Sequence, residues 1–240
     1  MKLKLYPRQY ALLSFSFIAF TIIGTISHEL GHAFIAKYLV GYEVNVSYAS
    51  INYKVTELDE YTARYNRDKK YIEAETDSHQ KNSFLEYRNN IGEQISKNRF
   101  YILLGGPIQT TITGTIGILL LWFNRKKILK NKYLNFFEWL AVFFSFFWSR
   151  QVFNFLIFIS QTIIGAQNFH NDEFKISNYL NLSDWLVGFI TFLIGLILLF
   201  WVTFVIIPAN IRLTFIFLGI TGSTLGWIIW MHWLGPNLLP

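Results

Sequence analysis

The sequence predicts an all-α polytopic membrane protein with about five transmembrane helices, a small extramembrane β hairpin and a charged loop. Three observations favour this fold class: an apolar composition, long apolar segments, and basic residues placed at the ends of those segments. Hydrophobic residues make up 52% of the 240 positions and charged residues 15%. In a typical soluble domain roughly 25% of residues are charged.

Four or five apolar segments are long enough to cross a hydrocarbon core, which takes about 20 helical residues. They cover approximately residues 10–40, 100–123, 133–164, 185–207 and 213–233. The third segment is too long for one perpendicular span and is interrupted by Ser149, Arg150 and Gln151. It is therefore either one tilted helix or a broken one. The fourth segment ends before Pro208.

The basic residues lie mainly at the ends of the apolar segments, which accounts for the net charge of +6 without a nucleic-acid partner. Three groups stand before the first span, between the second and third, and between the fourth and fifth: Lys2, Lys4 and Arg8; Arg125, Lys126, Lys127, Lys130 and Lys132; and Arg212. With one crossing per segment, all three fall on one side, which the positive-inside rule assigns to the cytoplasm. We therefore expect a cytoplasmic amino terminus. Residues 41–99 and the acidic loop around Asp172 would lie on the opposite, non-cytoplasmic side.

The long loop after the first span has two parts. Apolar and polar residues alternate in two short runs, at positions 44, 46 and 48 and at positions 51, 53 and 55. This alternation predicts a hairpin or edge strands beside the membrane. Residues 56–97 are highly charged with few large aliphatic side chains. They are predicted to form a solvated helix or a partly mobile segment.

His28, Glu29 and His32 form an H-E-x-x-H motif toward the end of the first apolar segment. Residues four apart lie on one face of a helix, so both imidazoles can point at one metal ion. Because the chain contains no cysteine, nitrogen and oxygen atoms must bind any metal. Two histidines at this spacing, with a glutamate as general base, are typical of zinc proteases. Ionisable residues at membrane depth are costly unless paired or ligated, which favours a functional role.

A third metal ligand must come from elsewhere in the chain. The loop after the third segment offers Asp172, with His170 and Glu173 as alternatives. The motif lies toward the outer end of the first span, and the third segment delivers Asp172 to that same side, so Asp172 is the predicted ligand. The other candidates are Glu138, near the cytoplasmic end of its segment, and the isolated His79 and His232.

Small residues open the second apolar segment at Gly105, Gly106 and Pro107. Near the start of a helix, these residues would permit close backbone packing and leave N–H groups free to face a substrate carbonyl. They are therefore predicted to position a substrate, the alternative being a plain helix start with small packing residues.

Together, the motif at residues 28–32, the Gly106-Pro107 pair and an aspartate after a third span resemble the site-2 protease family of intramembrane metalloproteases. The resemblance implies a three-span catalytic core, here residues 1–182 with the outward loop 41–99, and accessory helices at 183–240. It also implies a zinc ion completed by the aspartate, and a membrane-associated β element beside the first span that helps to hold the substrate.

The chain departs from the family pattern at three points. Thr110 stands where the family often has asparagine, three residues after the proline. Asp172 is followed by Glu173, where the family usually has glycine. The Asn-x-x-Pro spacing before the aspartate is missing, although Asn154 and Asn168 are nearby.

The leading expectation is a zinc-dependent intramembrane endopeptidase that hydrolyses peptide bonds of membrane-anchored protein substrates in the lipid bilayer. The alternative is a catalytically silent relative that acts as a membrane scaffold or binding protein. A transporter with a metal site would usually show internal repeats and broken spans. Here no repeat is visible, and the interruption near Arg150 is the one hint of a broken span.

Overall fold

A computed structural model describes residues 7–74, 79–131, 133–166, 169 and 171–240. The first helix, α1 (Pro7–Phe34), continues into a π-helical turn at Ile35–Val40. Gly41 ends this turn with φ +87°, in the left-handed region that glycine adopts without strain. The chain therefore turns sharply at the end of the first apolar segment.

A two-stranded antiparallel hairpin follows, formed by β1 (Val44–Val46) and β2 (Ile51–Tyr53). Val44 pairs with Tyr53, and Val46 pairs with Ile51. The hairpin packs its apolar side chains around a small buried cluster of Ala36, Tyr42 and Ile102. The hairpin predicted from the alternating pattern is thus confirmed.

Two helices follow the hairpin: α2 (Thr56–Ile72) and α3 (His79–Asn131). The 53 residues of α3 give a helix of about 80 Å, much longer than the predicted second span at 100–123. The charged stretch is helical because the two helices bury Phe84 between the rings of Tyr61, Tyr65 and Tyr87.

The third apolar segment is broken into α4 (Phe136–Ser145) and α5 (Ser149–Ile163) by a 3₁₀ turn at Phe146–Trp148. The break lies just before the Ser149–Gln151 interruption that the sequence suggests. In the turn, Trp148 lies against Gly114 of α3, where a Cβ atom would come within 2.5 Å of its ring. A short helix, α6 (Asp172–Tyr179), follows.

The carboxyl-terminal part contains α7 (Leu186–Trp201) with a π-helical turn at Val202–Ile206, and α8 (Arg212–Ile229). A π-helical turn at Trp230–Leu234 and the short α9 (Gly235–Leu238) end the chain. Glycines 219, 222 and 226 of α8 lie against α1, and α7 packs against α5. The predicted division at residue 182 stays a prediction, and helices from both sides of it pack together.

Within the described residues, five helical segments are long and apolar enough to cross a membrane: Gln9–Val40, His79–Asn131, Phe136–Ile163, Leu186–Ile206 and Arg212–Leu238. Many large apolar side chains on these segments face outward, among them Phe15, Ile197 and Phe217. An outward surface of this kind is typical of a protein that contacts lipid. Inside, an aromatic and aliphatic core centres on Phe17, Leu121 and Phe215.

Candidate metal centre

The helix α1 places the imidazoles of His28 and His32 side by side. They lie one turn apart on the same face and are 1% and 8% exposed. Their Nε2 atoms are 3.2 Å apart. The spacing in the motif therefore has the geometric consequence that helix periodicity predicts.

Asp172, the first residue of α6, brings a carboxylate oxygen to the same point. Its Oδ2 atom lies 2.9 Å from His28 Nε2 and 3.4 Å from His32 Nε2. Ligand atoms about 2.0–2.1 Å from a tetrahedral ion would be about 3.3 Å from one another. The three atoms thus have nearly the separations that one metal ion requires, and His28, His32 and Asp172 form a group that could hold it.

The outer nitrogens of both imidazoles are engaged by α3. His28 Nδ1 lies 2.8 Å from Thr110 Oγ1, and the Thr110 hydroxyl donates its own proton to the Gly106 carbonyl at 3.0 Å. His28 Nδ1–H must therefore be the donor to Thr110. His32 Nδ1 lies 2.7 Å from the Ile102 carbonyl, which can accept but not donate. Both rings thus carry their proton on Nδ1 and leave the Nε2 lone pairs directed at the metal position.

The Gly106 N–H also lies 3.2 Å from His32 Nδ1. The same nitrogen cannot accept this proton while it donates to Ile102. The contact of His32 Nδ1 with the Ile102 carbonyl is the shorter of the two, and a carbonyl can only accept. His32 Nδ1–H therefore donates to Ile102.

The glycines of α3 allow α1 and α3 to cross at backbone contact. A Cβ atom on Gly31 would lie 2.5 Å from the Gly105 carbonyl oxygen, and one on Gly106 would collide with Nε2 of both histidines. The prediction that Gly105, Gly106 and Pro107 stand near a helix start is wrong, since all three lie in the interior of α3. The helix continues through them because its preceding half is itself helical and packed on α2. Their role in positioning a substrate stays a prediction.

Glu29 lies beside the metal group, is 7% exposed, and lines a cavity of 270 Å³. His32, Asp172 and Arg150 line the same cavity, as does Ser50 from the turn of the hairpin. A second cavity of 510 Å³ adjoins it and is walled mainly by apolar and aromatic side chains of α1, α4, α5 and α8. Glu29 lines both cavities.

The alternative third ligands lie elsewhere. Glu173 is 2% exposed and accepts a hydrogen bond from Asn154 Nδ2 at 3.1 Å. Burial, with the neighbouring charge of Asp172, raises the pKa of Glu173 to about 7. Glu138 forms a capping box with Asn135 at the start of α4. His170 lies outside the described residues.

The two isolated histidines are not part of the group. His79 is the first residue of α3, far along the helix from the glycines that touch the metal site. His232 lies in the final π-helical turn, with its ring 5.7 Å from that of Trp227.

Sequence reasoning missed two residues of this site. Thr110 is noted in the sequence as a departure from the family pattern, and in the structure it is the partner of His28. Arg150 is noted as an interruption of an apolar segment, and in the structure its Nη2 atom lies 4.0 Å from Glu29 Oε1. A charge inside an apolar segment was the available signal for Arg150.

Compared with known protein families, with curated proteins and with solved structures, the chain gives no match. The geometry of the site therefore carries the functional argument.

Proposed function

We propose that this protein is a zinc-dependent intramembrane endopeptidase that cleaves membrane-anchored protein substrates within the lipid bilayer. The observation that carries the proposal is the convergence of His28, His32 and Asp172 at tetrahedral separations, beside a buried glutamate that lines a cavity. Two imidazoles and one carboxylate leave a fourth position open, which is the arrangement of catalytic rather than structural zinc sites.

Zinc fits the donor set, because imidazole nitrogen and carboxylate oxygen are both common zinc ligands. The fixed Nδ1 protons on both rings, held by Thr110 and Ile102, support the same reading. When bound there, zinc would polarise the substrate carbonyl and lower the pKa of a coordinated water.

Glu29 would act on the proton of the attacking water. Hydrolysis forms a bond from the water oxygen to the carbonyl carbon and breaks the bond from that carbon to nitrogen. The Glu29 carboxylate accepts a proton from the water and then donates it to the leaving nitrogen. Its burial at the wall of the cavity supports this role, since a base must reach the water within hydrogen-bond distance.

We also propose that the amino terminus is cytoplasmic and that the active site opens toward the non-cytoplasmic side. The basic residues support this orientation. Four of them stand at the carboxyl-terminal end of α3: Arg125, Lys126, Lys127 and Lys130. The charged helix α2 and the charged first part of α3 lie at the opposite end of that helix.

The test of the activity is cleavage of a library of apolar peptides by zinc-loaded, detergent-solubilised protein, with products identified by mass spectrometry. Glu29→Gln removes the base and keeps nearly the same shape, so we expect cleavage to be lost and zinc to stay bound. Glu60→Gln, on the exposed face of α2, is the matched control and should cleave like the wild type.

Cleavage by Glu29→Gln at the wild-type rate would contradict the mechanism. A wild type that binds zinc and cleaves nothing would favour the silent scaffold or binding protein instead.

A further inference from the structure

Arg150 is a charged residue inside an apolar segment, and its position calls for an explanation. It is the second residue of α5, directly after the 3₁₀ turn, and it lies within the segment Phe136–Ile163 that is apolar enough to cross a membrane. A charged side chain at such a depth costs several kcal/mol and is by default functional.

An ion pair with Glu29 does not account for Arg150. The closest atoms, Arg150 Nη2 and Glu29 Oε1, are 4.0 Å apart, whereas a charge-assisted hydrogen bond between such groups is about 2.7–2.9 Å long. Among the residues that the structure describes, Arg150 Nε has no hydrogen-bond partner, although this atom is buried. Nε itself is too deeply buried to meet a ligand, so a ligand would contact the exposed part of the guanidinium, its terminal nitrogens.

Its surroundings indicate where such a ligand would lie. Arg150 lines both the 270 Å³ cavity beside the metal group and the 510 Å³ apolar cavity, as do Glu29 and Asn154. Arg150 is therefore within the part of the wall that the two cavities share. The side chain is 32% exposed, so it reaches this space without being a freely solvated surface arginine.

A second residue with an unpaired polar atom lines the smaller cavity. Asn171 lines it, and within the described part of the chain the Asn171 Oδ1 atom is buried without a hydrogen-bond partner. The Asn171 oxygen lies beneath the cavity surface, so the strong donor on this wall beside the metal group is Arg150. A charged donor of this kind is what the carbonyl oxygen of a peptide backbone needs.

We infer that Arg150 is a catalytic residue that donates hydrogen bonds to the oxygen of the scissile carbonyl as this oxygen gains negative charge. The inference rests on the proposed peptidase function. A guanidinium suits the task, because it stays charged and presents several N–H donors in a planar fork. In an apolar site, donors aimed at a developing charge are worth far more than in water.

The first test is steady-state kinetics of the zinc-loaded protein on a peptide from the cleavage library. Removing a donor of this kind lowers kcat by about 10²–10³-fold. We expect that loss for Arg150→Gln, with KM changed less than about threefold, since the bond forms mainly in the transition state. Arg150→Lys keeps the positive charge but lacks the planar set of N–H donors, so its kcat should lie between those of the wild type and Arg150→Gln. Arg67→Gln removes the same kind of group from an exposed position on α2 that lines neither cavity and should match the wild type.

The second test does not depend on turnover. The probes are a phosphonamidate peptide, whose anionic tetrahedral phosphorus resembles the transition state, and the matched neutral amide. We expect Arg150→Gln to bind the phosphonamidate at least about 10-fold more weakly than the wild type, with unchanged zinc content. Binding of the neutral amide should be unchanged.

The outcomes separate the two proposals. If the wild type cleaves nothing but binds the phosphonamidate in an Arg150-dependent way, the peptidase function fails while Arg150 keeps its role in binding the anion. Equal phosphonamidate affinity in wild type and Arg150→Gln would overturn the inference. So would complete rescue of kcat by Arg150→Lys, or no phosphonamidate binding by the zinc-loaded wild type.

Discussion

At the scale of single residues, Thr110 connects the metal group to the helix that supports it. Its hydroxyl accepts a hydrogen bond from His28 Nδ1–H and donates one to the Gly106 carbonyl. Thr110 is 1% exposed, so water cannot replace it at low cost. The hydroxyl therefore fixes both the tautomer and the orientation of His28.

Replacing Thr110 by valine should weaken zinc binding by about 10–100-fold, the usual effect of losing a hydrogen bond to a ligating histidine. Valine keeps the shape and removes the acceptor. Zinc affinity would be measured by competition with a chelator of known affinity. The control is Thr111→Val, because among the described residues the Thr111 hydroxyl bonds to the carbonyls of Pro107 and Ile108 in its own helix and to no histidine. Equal affinities for the two variants would rule out the role assigned to Thr110.

The sequence predicts the candidate metal ligands better than it predicts the residues that support them. His28 and His32 follow from helix periodicity, and Asp172 follows from counting crossings. Thr110 could not be predicted in this way, because a hydroxyl that meets an imidazole across two helices leaves no spacing signal in the chain. The position of Arg150 beside Glu29 likewise could not be predicted. It depends on where the third segment breaks, and tertiary packing rather than local sequence determines that point.

At the scale of secondary-structure elements, the crossing of α1 and α3 positions the site. Gly31 and Gly105 meet backbone to backbone, so that a Cβ atom on Gly31 would lie 2.5 Å from the Gly105 oxygen and 2.7 Å from Gln109 Cβ. Backbone atoms cannot move aside as the end of a flexible side chain can. Separating the helices would draw Ile102 and Thr110 away from the histidines.

Gly31→Ala should therefore destabilise the protein by about 1–3 kcal/mol, the usual cost of overpacking, and should also weaken zinc binding. The measurement is thermal unfolding in detergent together with zinc content. The matched control is Gly92→Ala in α3, where an added Cβ meets nothing within 4 Å. Alanine should stabilise that site by about 0.5–1 kcal/mol. Wild-type stability and zinc affinity in Gly31→Ala would contradict this account of the crossing.

The elements themselves were predictable to different degrees. The hairpin follows from strict alternation, which is a local property of residues 44–55. The continuity of α3 was missed, because a Gly-Gly-Pro sequence ordinarily indicates a helix boundary. Here α2 packs on the first part of α3 and α1 packs on its middle, and these contacts outweigh the local preference.

At the scale of the whole molecule, the long α3 connects the charged helix α2, the metal group and a cluster of basic residues. Its first part packs with α2, its middle meets the metal group, and its last turns carry Arg125, Lys126, Lys127 and Lys130. A single crossing by α3 would put α2 and this basic end on opposite sides of the membrane. The association of α8 with α1 was not predictable, since both are apolar helices and neither sequence contains a pattern that identifies its packing partner.

The absence of cysteine from the chain makes the orientation directly testable. Asp59→Cys, at a side chain 65% exposed on α2, should react with a membrane-impermeant maleimide on intact cells. Lys127→Cys, at an exposed position near the end of α3, should react only after the cells are opened. The reverse pattern would invert the proposed topology. Labelling of both thiols on intact cells would contradict a single crossing by α3.

His28, His32 and Asp172 together are proposed to bind one zinc ion, and the decisive measurement is the zinc content per chain of purified protein. We expect about one zinc in the wild type and in Glu173→Gln, and almost none in His28→Ala or Asp172→Ala. Glu173→Gln is the matched control, because Glu173 adjoins Asp172 but is hydrogen-bonded to Asn154. Full zinc content in Asp172→Ala, or a folded wild type that binds no zinc, would contradict the account.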